Sequence, residues 1–161
     1  MKLLQTILIS ISLISSIILW ITRAEWLPSL SAFALSDNVL WYRLMHLTGS
    51  WFFLLYALYN SKVVGIVTSF MMGMILVFDM YHHHTIHDIV TLLTLLLSIT
   101  LILHDIKFKS FNFIWGSFLS LGILLVFIIG YFVESFHLLL AEIIAMFLVA
   151  NAMLLKIYNK L

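Results

Sequence analysis

Six long apolar runs follow one another along this chain with little between them. They cover residues 3–21, 39–59, 63–80, 86–103, 113–133 and 136–157. Roughly 20 apolar residues in a helix cross a hydrocarbon core of about 30 Å. Lipid offers backbone N–H and C=O groups no partner, so such segments must bond internally, and they carry none of the alternation that a barrel needs. The chain is 64% hydrophobic and 9% charged, whereas a soluble domain carries about a quarter charged residues. The expected fold is therefore all-α. Residues 1–161 form one transmembrane domain, a bundle of six transmembrane helices with the bilayer as solvent. A single proline suits long helices. The absence of cysteine removes disulfides, thiolate metal sites and cysteine nucleophiles. A net charge of +1 argues against a nucleic-acid partner.

Most of the links are short. The longest, residues 23–38, contains Trp26, Pro28 and "SLSAFALS" and reads as a short interfacial helix anchored by Trp26. Ser36 or Asp37 is placed to cap the second helix, and Ser135 the sixth. Lys2 before the first apolar run, with "TRA" or "AFA" after it, resembles a signal peptide. The run is long for a signal core, so it is expected to be a retained helix.

Threading six spans puts both termini on one side. That side carries Lys2, Lys62, Lys107, Lys109, Lys156 and Lys160, while the other has Arg23 and Arg43 as its cations. Lysine and arginine in short loops stay cytoplasmic, so the termini are expected inside. The opposite, periplasmic or extracellular, side then holds Glu25, Asp37, Asp79, Asp88, Glu134 and Glu142. Six histidines go with them: His46, His82, His83, His84, His87 and His137. This pattern fits a bacterial inner (plasma) membrane protein.

The stretch "FDMYHHHTIHDIV", residues 78–90, concentrates four histidines and two aspartates between the third and fourth runs. At about 1.5 Å per residue, His46 and Glu142 each lie about two turns into their helices, at similar depth. Ionisable groups there cost several kcal/mol unless paired or wet, so they should face the bundle interior. The simplest arrangement is an Arg43–Glu142 ion pair pinning the second helix to the sixth. A richer one is a metal centre. Imidazole and carboxylate donors suit zinc, iron or copper, and a catalytic zinc takes about three such ligands. The candidate metal ligands are His46, His83, His84, His87, Asp79 and His137. Asp79, Glu142 and Arg43 are the candidate catalytic residues. Adjacent side chains diverge, so at most two of His82, His83 and His84 can reach one centre, and His82 reads as solvated. No HExxH, Walker A or G-x-S-x-G pattern is present.

The second helix contains "RLMHLTGSWFF", in which Arg43, His46 and Gly49 fall in an R-x-x-H-x-x-G-S order. This resembles the haem-bearing helix of the cytochrome b family over about a dozen residues. The resemblance implies an arginine on a haem propionate, an axial histidine, and a glycine that lets the ring approach. The position fourteen residues beyond His46, where that family carries its second histidine, is Asn60. What remains is one haem b, with His46 and either His87 or His137 as axial ligands and Arg43 on the propionate.

Small residues at helical spacing, Gly65–Ser69–Gly73 and Gly116–Ser120, read as close-packing stripes. Ser12, Ser15 and Ser16 read as interhelical contacts, and Met71, Met72 and Met74 as apolar filler. The leading expectation is a metal-dependent membrane enzyme acting on a lipid or other amphiphile. One alternative is a single-haem or quinol-linked redox subunit with partner membrane subunits. The other is a non-catalytic transporter or structural subunit.

Overall fold

The computed structural model describes residues 1–22, 33–34, 37–78, 83–104, 111–132 and 138–158. Among them are six α-helices: α1 Lys2–Thr22, α2 Val39–Asn60, α3 Val63–Val77, α4 His84–Leu103, α5 Phe111–Phe132 and α6 Leu138–Ile157. Among the described residues, three stretches are long and apolar enough to cross a membrane: α1 itself, Thr85–Leu103 within α4 and Leu140–Ile157 within α6. At 15 residues α3 is the shortest helix, about 22 Å at helical rise. It stops at Val77, three residues before the end of its apolar run. The expected interfacial helix around Trp26 lies outside the described residues, as does Ser135.

Consecutive helices pack side by side from α1 to α4, α5 packs on α6, and α6 returns to α1. Looser contacts from α4 to α5 and α6 close the ring. The start of α1 and the end of α6 meet. Thr6 Oγ1 lies 3.1 Å from the Tyr158 hydroxyl, and the Lys2 ammonium sits 5.9 Å from the Tyr158 ring centre.

Helix phase decides which residues are inside. On α2, Leu40, Leu47, Trp51 and Leu58 form an exposed apolar stripe, while Met45, Phe52, Phe53 and Tyr56 are buried on the opposite face. Two residues, Ser61 and Lys62, link α2 to α3. Ser61 adopts a left-handed φ of 54°, and the Lys62 N–H donates to the Ala57 carbonyl at 2.9 Å. This reverse turn satisfies a carbonyl that the helix end would otherwise leave open. At the other end of α2, Asn38 holds the N-cap position without a side-chain cap. Its Nδ2 donates instead to the Thr22 carbonyl at 3.4 Å, tying α2 to the end of α1. The expected cap by Asp37 is therefore not made, because Asn38 stands between it and the first helical residue.

The α2–α3 seam is close because of the small-residue stripe. A Cβ at Gly65 would lie 2.8 Å from the Ala57 Cβ and 3.3 Å from the Phe53 carbonyl oxygen. Higher up, the Ser50 hydroxyl donates to the Ser69 carbonyl at 2.9 Å. The α1–α2 seam has a similar bond from the Ser12 hydroxyl to the Met45 carbonyl at 2.8 Å. Bonds of this kind between helices are worth about 0.6 kcal/mol on average in a membrane, with a maximum near 1.7. At the far end of the bundle, the Lys156 ammonium donates to the carbonyls of Leu101, of Ile102 at 3.2 Å and of His104 at 2.6 Å. A cation from α6 thus covers the open carbonyl end of α4, where the helix dipole favours positive charge.

Gly65→Val should cost about 1–3 kcal/mol by overpacking the seam, lowering the unfolding midpoint in detergent. Gly73→Ala should be near neutral, since a Cβ there meets the Ser50 hydroxyl at an ordinary 3.8 Å. Lys156→Met should cost about 1–3 kcal/mol by leaving the α4 carbonyls unpaired. An unchanged midpoint in Lys156→Met would remove that lysine from the account of how α4 is held.

Candidate functional site

One face of each of α1, α2, α3, α4 and α6 lines a cavity of about 130 Å³. Among the described residues, α5 contributes nothing to its wall. The cavity follows from the phase of polar residues on otherwise apolar helices. On α4, His87, Thr91, Thr94 and Ser98 recur at intervals of three and four, so they form one stripe, and that stripe faces the cavity. On α2, Tyr42, His46, Gly49 and Phe53 recur in the same way and line the opposing wall. Glu142 on α6 and Ser12 on α1 complete the polar content of the lining.

The two histidines are held alike. His46 and His87 are buried, at 6% and 4% exposure. The His46 Nδ1 donates to the Tyr42 carbonyl at 3.1 Å, one helical turn back. The His87 Nδ1 donates to the Phe78 carbonyl at 2.7 Å, across the connection between α3 and α4. A carbonyl can only accept, so each ring carries its proton on Nδ1 and leaves the Nε2 lone pair for another partner. Tyr42 packs on His46 with ring centres 4.5 Å apart. Anchoring through a backbone carbonyl is how a protein fixes the tautomer and direction of a histidine whose other nitrogen binds a ligand.

Glu142 is half-buried at the same end of the cavity, within the second turn of α6. The structure thus brings His46, His87 and Glu142 to one cavity. Arg43 does not join them. It lies on the exposed α2 stripe with Leu40 and Leu47, and among the described residues it makes no ion pair. The expected Arg43–Glu142 pin is therefore absent. The three-residue step from Arg43 to His46 carries the Arg43 side chain onto the outer face of the bundle, about 6 Å from the helix end.

His83 also stands apart. It is exposed and packs edge-on against Phe78, with ring centres 5.4 Å apart. His84 opens α4, and its side chain is outside the described set, as are Asp79, His82 and His137. Among the described residues no three His, Asp or Glu side chains stand close enough together to hold a metal ion. Gly49, which the haem resemblance leaves open for a ring, lines the cavity but has the Met72 side chain packed against it. A Cβ there would lie 2.8 Å from the Met72 sulfur and 3.3 Å from the Ser12 hydroxyl.

Sequence reasoning overlooked Thr91. Its hydroxyl is buried in the lining and has no hydrogen-bond partner, whereas Thr94 and Ser98 on the same stripe bond to the carbonyls four residues back, each at 2.8 Å. The signal was available as a polar residue one turn below His87 in a leucine-rich helix. No family model, curated protein or solved structure matches this chain.

Arg43→Gln should leave the unfolding midpoint within about 0.5 kcal/mol of the parent protein, as exposed positions without partners usually do. A loss of 2 kcal/mol or more, on the order expected for breaking a buried pair, would restore the ion pair that the geometry lacks.

Proposed function

We propose that this chain is a membrane-embedded metal-site protein, an enzyme acting on an amphiphile at a site opening toward the periplasmic or extracellular face. The bundle is read as six spans with both termini cytoplasmic. One observation carries the functional reading: two buried imidazoles on different helices, each fixed through Nδ1 to a backbone carbonyl, share a cavity with a carboxylate. Structural packing alone does not call for two histidines held with their lone-pair nitrogens uncommitted.

Two nitrogens and a carboxylate oxygen suit zinc, iron or copper. His46 and His87 would hold the ion, with Glu142 as the third donor after a shift of its side chain. Asp79, next in sequence to the Phe78 carbonyl that anchors His87, and His137 are the further candidates. The ion would supply Lewis acidity and a bound water acidic enough to ionise near neutral pH. The chain's own contribution is to orient the imidazoles, offer Glu142 as proton acceptor, and exclude bulk water with apolar walls. Arg43, on the outer face, is assigned to lipid phosphate rather than to the reacting centre.

The haem alternative draws on the same two imidazoles. Against it stand the size of the cavity, close to the roughly 150 Å³ of an engineered cavity that takes up benzene, and the thioether of Met72 where a ring would approach Gly49. A porphyrin would have to displace that side chain.

Elemental analysis and an absorption spectrum of the purified protein decide between these readings. Bound zinc, iron or copper without a Soret band is expected, and His46→Ala and His87→Ala should each weaken metal retention at least 10-fold. A Soret band lost in the same variants would establish the haem centre instead. With neither signal in the parent protein, the non-catalytic transporter or structural subunit would stand.

A further inference from the structure

We propose that the cavity is a slot for a single-chain amphiphile, its polar group held at the end lined by His46, His87 and Thr91 and its alkyl chain running inward along α4 and α6. The proposal names the substrate class of the site described above and rests on that reading for the polar end. Its evidence lies mainly in the remainder of the cavity.

The lining is graded from end to end. The histidines and Glu142 lie within the first two turns of α2, α4 and α6. From His87 to Ser98 the α4 wall extends about 16 Å, and from Glu142 to Ala150 the α6 wall about 12 Å, at 1.5 Å per residue. Beyond the histidines the walls become apolar: Phe52 and Phe53 on α2, Leu95 on α4, Ala145, Val149 and Ala150 on α6. The serine and threonine hydroxyls of the lower α4 wall are spent on their own helix, so they present little polarity to an occupant. A space that is polar at one end and apolar beyond it matches one short alkyl chain. Its volume of about 130 Å³, close to that of a cavity that takes up benzene, leaves no room for two.

Thr91 adds an independent observation. A buried hydroxyl without a partner is costly, and native structures rarely leave one unexplained. Its residue stands one turn inward from His87 and lines the cavity, beside the position a ligand's polar atom would take. An uncharged hydroxyl head group fits best, because it can both accept from Thr91 and donate to an acceptor among its neighbours without bringing a charge into the cavity.

The test uses the protein in detergent and a series of linear primary alcohols from propanol to hexadecanol, with binding read by displacement of a fluorescent alkyl probe. Binding should peak at an intermediate chain length and fall about 10-fold for the longest chain. Ala150→Leu should move the optimum toward shorter chains by filling the deep end, and Phe53→Ala should move it toward longer ones. If Ala150→Leu fails to fold, Ser98→Leu narrows the same region from α4. Thr91→Val should weaken the preferred alcohol about 5- to 10-fold at every chain length. Metal content is measured on each variant. Unchanged metal with a moved optimum supports the slot, and a moved optimum in protein that never held metal supports the slot while removing the metal reading. Affinity that merely rises with chain length, unmoved by Ala150→Leu, Ser98→Leu or Phe53→Ala, would overturn the slot and leave the metal site standing.

Discussion

Polar groups inside this bundle must find partners within the protein, because its outer surface is apolar and offers none. Leu3, Phe70, Phe118 and Phe132, for example, are each more than half exposed. In such surroundings the helix satisfies its own backbone, and hydroxyl side chains fold back onto it. Ser15, Thr48, Thr68, Thr94 and Ser98 all donate to the carbonyl four residues back. The groups that do otherwise are therefore informative. Ser12 and Ser50 bond across to a neighbouring helix, and the Thr91 and Ser120 hydroxyls have no partner. The first two fix how the helices meet, and of the unpartnered pair Thr91 belongs to the lining of the space they enclose.

The same constraint explains why the cavity has a direction. Charges and imidazoles are tolerated near the helix ends and become costly toward the middle of a membrane. His46, His87 and Glu142 accordingly lie near the end where α2, α4 and α6 begin. The deeper walls are built from phenylalanine, leucine, valine and alanine. At the opposite end, polarity is used to close the fold. Lys156 covers the α4 carbonyls, and Tyr158 meets Thr6 and Lys2. One end of the bundle is thus locked by side-chain bonds, while the other holds side chains with uncommitted nitrogens.

Much of the fold was legible in the chain, because in lipid the dominant signal is local. A run of apolar residues must become a helix wherever it occurs, and each of the six helices begins and ends within three residues of its apolar run. The close-packing stripe on α3 was legible for the same reason, since spacing alone puts Gly65, Ser69 and Gly73 on one face. Arg43 was the misreading. Depth suggested a partner for Glu142, but helix phase, visible in the neighbouring stripe Leu40–Leu47–Trp51, carried it to the outside. The histidine run misled differently. It offered His83 and His87 alike, and among the described residues His83 is exposed whereas His87, four positions later, enters the bundle.

The amino-acid order alone determined that the chain is helical, where the helices run, and that imidazoles gather at one end of them. Those properties depend on neighbours within a few residues and on the solvent. Which imidazoles meet depended on the rotation of each helix about its axis and on the ring order that sets α4 beside α6 and α6 beside α1. Contacts between residues far apart in the chain set both. The tertiary structure therefore decided that His46, His87 and Glu142 share one cavity, that Arg43 does not, and that Thr91 lines the wall below them.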